Sequence, residues 1–73
     1  MAENKKVEIT TEYIKLDQLL KFSGLILTGG AAKDAIANGS VFVNGAPCLM
    51  RGKKIHAGDT VKFGEITLEV CSR

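Results

Sequence analysis

Residues 36–45 read IANGSVFVNG, and the character of the chain changes within them. Gly39 is typical of a helix end, because glycine readily adopts the left-handed backbone that follows a last helical turn. Val41–Val43 is β-branched and aromatic, as strands are, and Asn44-Gly45 is the strongest two-residue signal for a β-hairpin. The stretch therefore predicts a helix followed by a strand that turns back on itself.

Two short helices are predicted on the N-terminal side of Gly39. Leucines recur at helical spacing within residues 16–20, and Gly24 is placed to end that first helix. The second helix is predicted over residues 31–38, with Thr28 as its N-cap. Its apolar stripe is mostly alanine, and such small side chains allow two helices to pack closely.

The rest of the chain is predicted to form strands. Pro47 restricts the return strand of the first hairpin to an edge, and alternation around Gly64-Glu65 predicts a C-terminal hairpin over residues 60–70. Residues 1–11 are expected to form an arm or a strand. The predicted fold class is α+β, with two short packed helices on a small, mostly antiparallel β-sheet.

Composition limits the class of protein. The 73 residues are enough for one domain, and 45% hydrophobic content with 25% charged residues excludes a disordered chain. No apolar run is long enough for a membrane span, and the polar N-terminus lacks the apolar core of a secretory signal. We therefore expect a cytoplasmic protein, without a membrane partner.

The residue types that support catalysis are sparse. His56 is the single histidine, and no serine or cysteine stands beside it in a nucleophile motif. Cys48 and Cys71 are too few for a zinc site. A disulfide between them stays open from the sequence, but in an unexported chain both are expected to be reduced, small buried hydrophobes. The acidic residues show no metal-ligand or paired-acid spacing. The sequence thus predicts no catalytic residue, no metal and no cofactor.

The segment TGGAAK, residues 28–33, is the first candidate binding site. If Thr28 caps the helix, Gly29 and Gly30 occupy the first two helical positions, where amide groups lack intrahelical acceptors and no side chain blocks an anion. Lys33 lies one turn further and leans back towards that end. The alternative is that the glycines only form a tight turn and Lys33 is a solvated surface residue.

Positive charge is concentrated in the middle of the chain. The sequence RGKK at residues 51–54 places three cations in four residues, and Lys15 stands at the start of the first helix, against the helix dipole. Residues 15–54 carry a net charge of +4, whereas each flank carries −1, so that the total is only +2. A solvated loop would be enough to explain the RGKK run taken by itself. The distribution of charge along the chain, however, is what a phosphate backbone selects.

These motifs combine with IKLDQLL at 14–20 and GDTV at 58–61 into one pattern, which resembles the ribosomal-protein-S4-like RNA-binding domain. The resemblance covers about residues 12 to 63, and within the family the chain is similar to the small stand-alone bacterial members of the YaaA/YbcJ type. It implies an αL-type RNA-binding motif of two helices followed by a small sheet. RNA would be held against the helical face.

The chain departs from the family pattern at two places. Lys15 stands where many members have arginine, and Gly29-Gly30 stands where many have Ser-Arg. Lysine is a point charge without the bidentate fork of arginine. The resemblance therefore implies phosphate contacts of lower geometric selectivity, with backbone amides in place of the missing arginine.

The predicted function is a non-enzymatic module that binds structured RNA, which the resemblance implies is ribosomal. The four aromatic side chains, Tyr13, Phe22, Phe42 and Phe63, mostly fit core positions, so that no ladder for stacking single-stranded bases is expected. The residues expected to contact RNA are Lys15, Thr28, Gly29, Gly30, Lys33, Arg51, Lys53 and Lys54.

Two other interpretations remain open at this point. A basic adaptor domain would bind an acidic protein partner through the same face. An enzyme acting on RNA would need a separate catalytic subunit. In the favoured interpretation residues 1–73 form one S4-like domain that acts as a monomer, without a small-molecule substrate.

Overall fold

A computed structural model describes residues 3–73, which form two helices and seven strands. In chain order these are β1 (Glu3–Ile9), β2 (Ile14–Lys15), α1 (Leu16–Phe22), α2 (Gly29–Ala37), β3 (Val41–Val43), β4 (Ala46–Pro47), β5 (Lys54–Ile55), β6 (Thr60–Phe63) and β7 (Ile66–Ser72). The arm or strand expected over residues 1–11 is strand β1 from Glu3 to Ile9, while residues 1 and 2 lie outside the described part.

Five of the strands form one sheet in the order β1-β7-β6-β3-β4. The pairs β7–β6, β6–β3 and β3–β4 are antiparallel, and β1–β7 is parallel. The α+β class and the mostly antiparallel sheet are confirmed. Alternation predicted a strand near the N-terminus but not its parallel pairing with the C-terminal strand.

The helix ends follow the predicted chemistry. The Thr28 hydroxyl accepts a hydrogen bond from the Ala31 amide at 3.1 Å, as expected of an N-cap. Gly24 and Gly39 have φ of +83° and +75°, so each supplies the left-handed residue that ends a helix. Asn44 and Gly45, at +51° and +88°, make the tight turn from β3 to β4.

The core lies between the two helices and one face of the sheet. Side chains of β3, β6 and β7 alternate, so that every second residue points inward onto the leucine stripe of α1 and the small-residue stripe of α2. The largest fully buried side chains are Leu16, Leu19, Leu20, Ile36, Val41, Ile55, Val61 and Leu68. No helix within residues 3–73 is long and apolar enough to cross a membrane.

The assignment of the aromatic side chains to the core is wrong for Phe22 and Phe42, whereas Phe63 packs against the core. Phe22 is 65% exposed, because it lies two residues beyond Leu20 and so on the opposite side of the helix. Phe42 is 37% exposed, because alternation along β3 turns it to the outer face of the sheet. Tyr13 and Phe63 are half-buried. Both cysteines are free and half-buried, where the sequence predicted buried.

Candidate nucleic-acid interface

The loop that carries RGKK closes over the N-terminus of α1. The Leu16 amide donates to the Lys53 carbonyl at 2.9 Å, and the Asp17 amide donates to the Arg51 carbonyl at 3.1 Å. The Gln18 amide donates to the Asp17 carboxylate at 2.8 Å. The first three amides of α1 are therefore satisfied within the chain, and the loop offers its side chains, not the helix amides, to a ligand.

Strands β2 and β5 form a separate two-residue ladder beside this loop. Ile14 lies opposite Ile55, which is fully buried, and Lys15 lies opposite Lys54 on the exposed side. Successive side chains on a strand point to opposite faces, so the isoleucines anchor the ladder to the core while both lysines face solvent. The ladder thus brings Lys54 next to the cation at the start of α1.

The loop and the ladder together gather four of the residues predicted to contact RNA. We call the group the cationic cluster, and its members are Lys15, Arg51, Lys53 and Lys54. All four are exposed, and within residues 3–73 none of them forms an ion pair with a carboxylate. Like charges on neighbouring residues repel one another, and an anion bound among them would relieve that repulsion.

The start of α2 holds the other four predicted residues. The Ala31 amide donates its hydrogen bond to the Thr28 hydroxyl. The amides of Gly29 and Gly30 have no acceptor in the described chain. A Cβ atom built on either glycine meets nothing within 4 Å, and neither has a positive φ. Neither packing nor backbone conformation therefore requires glycine here, and the tight-turn alternative does not explain the pair.

Lys33 is exposed on α2 and makes no ion pair within the described part of the chain. Among the residues that the structure describes, no hydrogen bond joins the start of α2 to the cationic cluster. The structure therefore assembles the predicted residues into two groups, one at each helix start, which the packing of α1 on α2 holds within one helical layer.

Tyr13 and His56 lie beside the cationic cluster and were missed as site residues. The Nζ atom of Lys54 is 4.9 Å from the centroid of the Tyr13 ring, within the range of a cation–π contact. The Tyr13 and His56 rings are 6.0 Å apart and tilted by 56°. Helical or strand periodicity could not reveal this group, because it depends on the pairing of β2 with β5.

Asp59 fastens the turn that leads from His56 into β6. Its carboxylate accepts hydrogen bonds from the His56 amide at 2.8 Å and from the Asn44 side chain at 3.2 Å. The hydrogen bond from the His56 amide is the main cause that lowers the pKa of Asp59 below its ordinary value of 3.8, and partial burial opposes it. The His56 imidazole itself is exposed.

Exposed apolar side chains flank both groups of site residues. Leu27, which is 87% exposed, directly precedes the Thr28 cap, and Leu49 and Met50 are exposed just before Arg51. Single exposed apolar residues are common, but here they border the two helix starts. The surface thus offers apolar contacts beside each group.

Within residues 3–73 no three His, Cys, Asp or Glu side chains come together in a way that could hold a metal ion. The cationic cluster consists of exposed lysine and arginine side chains, and the start of α2 adds Lys33 and the free amides of Gly29 and Gly30. Both groups are suited to binding an anion.

Comparison with known proteins gives concordant matches. The S4 domain family model matches residues 7–71. The probable ribosome maturation protein RlbA of Bacillus subtilis is 41% identical over 57 residues, which cover 78% of this chain and 80% of that protein. The putative RNA-binding protein YbcJ of Escherichia coli is 41% identical over 58 residues, covering 80% of this chain and 83% of YbcJ.

The fold also matches a solved structure. The solution structure of YbcJ from Escherichia coli, described as revealing an αL motif involved in RNA binding, superposes with a TM-score of 0.68 at 34% identity. The match covers 97% of this chain and 89% of YbcJ. The helix pair and sheet described above therefore recur together in that structure.

Proposed function

This chain belongs to the S4 domain family, and from that premise we propose that it is a non-enzymatic module that binds structured RNA through phosphate contacts. The proposal places RNA on the helical layer, where both groups of site residues lie. Residues 1–73 then act as one S4-like binding domain, whose core spans about residues 12 to 63.

The cationic cluster carries the proposal. Backbone hydrogen bonds from Leu16 and Asp17 hold the RGKK loop against α1, and within the described residues no exposed cation of the cluster forms an ion pair with a carboxylate. A solvated surface would gain from interspersed acidic residues, whereas a phosphate backbone selects an unneutralised group of cations. This arrangement favours a polyanion as the ligand.

The start of α2 would supply the second contact. The free amides of Gly29 and Gly30 are suited to a phosphate oxygen, and the absence of side chains allows the RNA backbone to approach. Lys33, one turn further, would add charge to the same phosphate. Contacts of this kind recognise the shape of a folded RNA and not its base sequence.

We further propose that the RNA is ribosomal. RlbA is named for ribosome maturation and YbcJ for RNA binding, and both align with this chain over about four fifths of its length. The proposed contacts are mostly lysines and backbone amides, which bind phosphates without the fixed bidentate geometry of arginine. We therefore expect recognition of a local fold of ribosomal RNA, with a monomer as the binding unit.

The decisive experiment measures affinity for purified Bacillus subtilis 16S and 23S ribosomal RNA at several KCl concentrations, with transfer RNA as a competitor. If about four phosphates are neutralised, log K should fall with log salt at a slope near −3. The double variant Arg51→Gln/Lys53→Gln should reduce that slope by at least one, since two phosphate contacts are lost.

A matched control removes the same charge elsewhere. Lys6→Gln/Lys62→Gln alters exposed residues of β1 and β6 and should leave both affinity and slope nearly unchanged. Equal losses in the two double variants would refute the assignment of the site. Salt-independent binding would refute phosphate recognition, and retention of a protein partner after nuclease treatment in a pull-down would favour the adaptor interpretation.

A further inference from the structure

The β2–β5 ladder presents four side chains on one face. Lys15 and Lys54 are cross-strand partners, and strand alternation places Tyr13 and His56 on the same face, one step beyond the isoleucine pair. The separation of 6.0 Å between the Tyr13 and His56 ring centroids agrees with that placement. The two lysines and the two rings thus form a group of four neighbouring side chains on the exposed face of the ladder.

Within that group the two lysines do not have equivalent surroundings. Both ammonium groups are positive, and repulsion would drive their flexible side chains apart. Lys54 Nζ instead lies 4.9 Å from the Tyr13 ring centroid, where the negative face of the ring attracts a cation. The ring leaves the charge of Lys54 intact while it limits the directions that the side chain samples.

We infer that Tyr13 is a positioning residue for RNA binding, whose ring holds the Lys54 ammonium ready to meet a phosphate beside Lys15. The inference rests on the proposed function, because it concerns how the cationic cluster binds RNA. A lysine held in place loses less conformational freedom on binding than a free one, so affinity rises without a new contact.

The backbone that carries Tyr13 is itself held in place. The Tyr13 carbonyl accepts a hydrogen bond from the Thr11 hydroxyl at 2.8 Å, and the next residue, Ile14, is fixed in the ladder. On its other flank stands the His56 ring, whose backbone amide is bound by Asp59 at 2.8 Å. The half-buried Tyr13 ring is therefore a fixed platform for the long side chain of Lys54.

The test is a double-mutant cycle read as affinity for a fluorescein-labelled RNA hairpin with a fully paired stem. Tyr13→Leu keeps apolar bulk but removes the ring face, and we expect it to weaken binding about two- to five-fold. Tyr13→Phe keeps the ring face and should bind like the wild type. In a Lys54→Ala background, Tyr13→Leu should cause no further loss, because the ring acts through Lys54.

A second measurement reads the contact without RNA. Nuclear magnetic resonance should find the ε-methylene protons of Lys54 shifted upfield by the ring in the wild type and in Tyr13→Phe, and at ordinary positions in Tyr13→Leu. Unchanged or tighter RNA binding by Tyr13→Leu would overturn the inference, as would an equal loss in the Lys54→Ala background. Failure of the wild type to bind the hairpin would overturn the proposed function as well, and the methylene shift would then report the contact alone.

Discussion

Lys15 and Lys54 face each other across a ladder of only two residue pairs, and the other pair, Ile14 with Ile55, ties that ladder to the core. A like-charged cross-strand pair is destabilising, and Lys15 also stands at the N-terminal end of α1, where the helix dipole disfavours a cation. The fold retains both unfavourable placements, which is consistent with a role in binding an anion.

Replacement of Lys15 should therefore separate stability from binding. Lys15→Gln removes the repulsion and the unfavourable dipole interaction, and we expect the free energy of unfolding in low salt to rise by about 0.5 kcal/mol. Affinity for ribosomal RNA should fall, since a phosphate contact is lost. Urea unfolding at low and high KCl checks the first part, because salt should erase the difference; a less stable variant in low salt would contradict it.

Substitution of the glycines at the start of α2 should likewise raise stability and weaken RNA binding. Because a Cβ meets nothing at either position, Gly29→Ala and Gly30→Ala should each stabilise the protein by about 0.5 kcal/mol through lower freedom of the unfolded chain. Each should also weaken RNA binding, since the methyl group covers the free amides. Thermal unfolding and a binding titration measure both effects, and stabilised variants with undiminished affinity would exclude this helix start from the interface.

Lys33 is expected to contribute charge to RNA binding and little to folding. Lys33→Glu should weaken RNA binding at least ten-fold, about 1.4 kcal/mol or more, with a melting temperature close to that of the wild type. Lys62→Glu, on the outer face of the sheet, makes the same change in net charge and is the matched control. Similar losses from both variants would show that only the overall charge matters.

Asp59 should make stability depend on pH in the acid range. Its folded-state pKa lies below the ordinary value of 3.8, so its ionised form stabilises the fold above that value, and the contribution is lost as pH falls through the folded-state pKa. We expect Asp59→Asn to lower the free energy of unfolding by about 1 kcal/mol at pH 7 and by little near pH 2. Urea unfolding between pH 2 and pH 7 measures how the free energies of unfolding of the variant and the wild type converge as the pH falls.

The control for Asp59 is Asp34→Asn, because the exposed Asp34 carboxylate makes no hydrogen bond within residues 3–73. This variant should follow the wild type at every pH. A constant difference between Asp59→Asn and the wild type down to pH 2 would show that shape, and not charge, explains the effect.

Close packing of α2 against the core should make Ala32 intolerant of a larger side chain. Ala32 is fully buried, whereas its neighbour Ala31 is exposed on the same helix. Ala32→Leu should therefore cost about 1–3 kcal/mol of unfolding free energy, and Ala31→Leu should cost much less. Chemical denaturation of the pair checks this, and equal midpoints would disprove tight packing at Ala32.

Local signals in the sequence determined most of the secondary structure. The leucine spacing of α1, the Thr28 cap, the glycine ends and the Asn44-Gly45 turn each depend on a few neighbouring residues, and all of them are seen in the structure. The same reasoning failed for Phe22 and Phe42, because aromatic character was read as burial although helix and strand periodicity place both outside.

The sequence by itself also named all eight candidate residues, since composition and charge distribution are properties of the chain. Only the tertiary structure decided how they are grouped. The closure of the RGKK loop on α1, the β2–β5 ladder and the position of Lys54 over Tyr13 join residues about 40 positions apart. Two-residue strands leave no detectable periodicity, and their pairing is fixed by the burial of Ile55 in a core that exists only once the chain has folded.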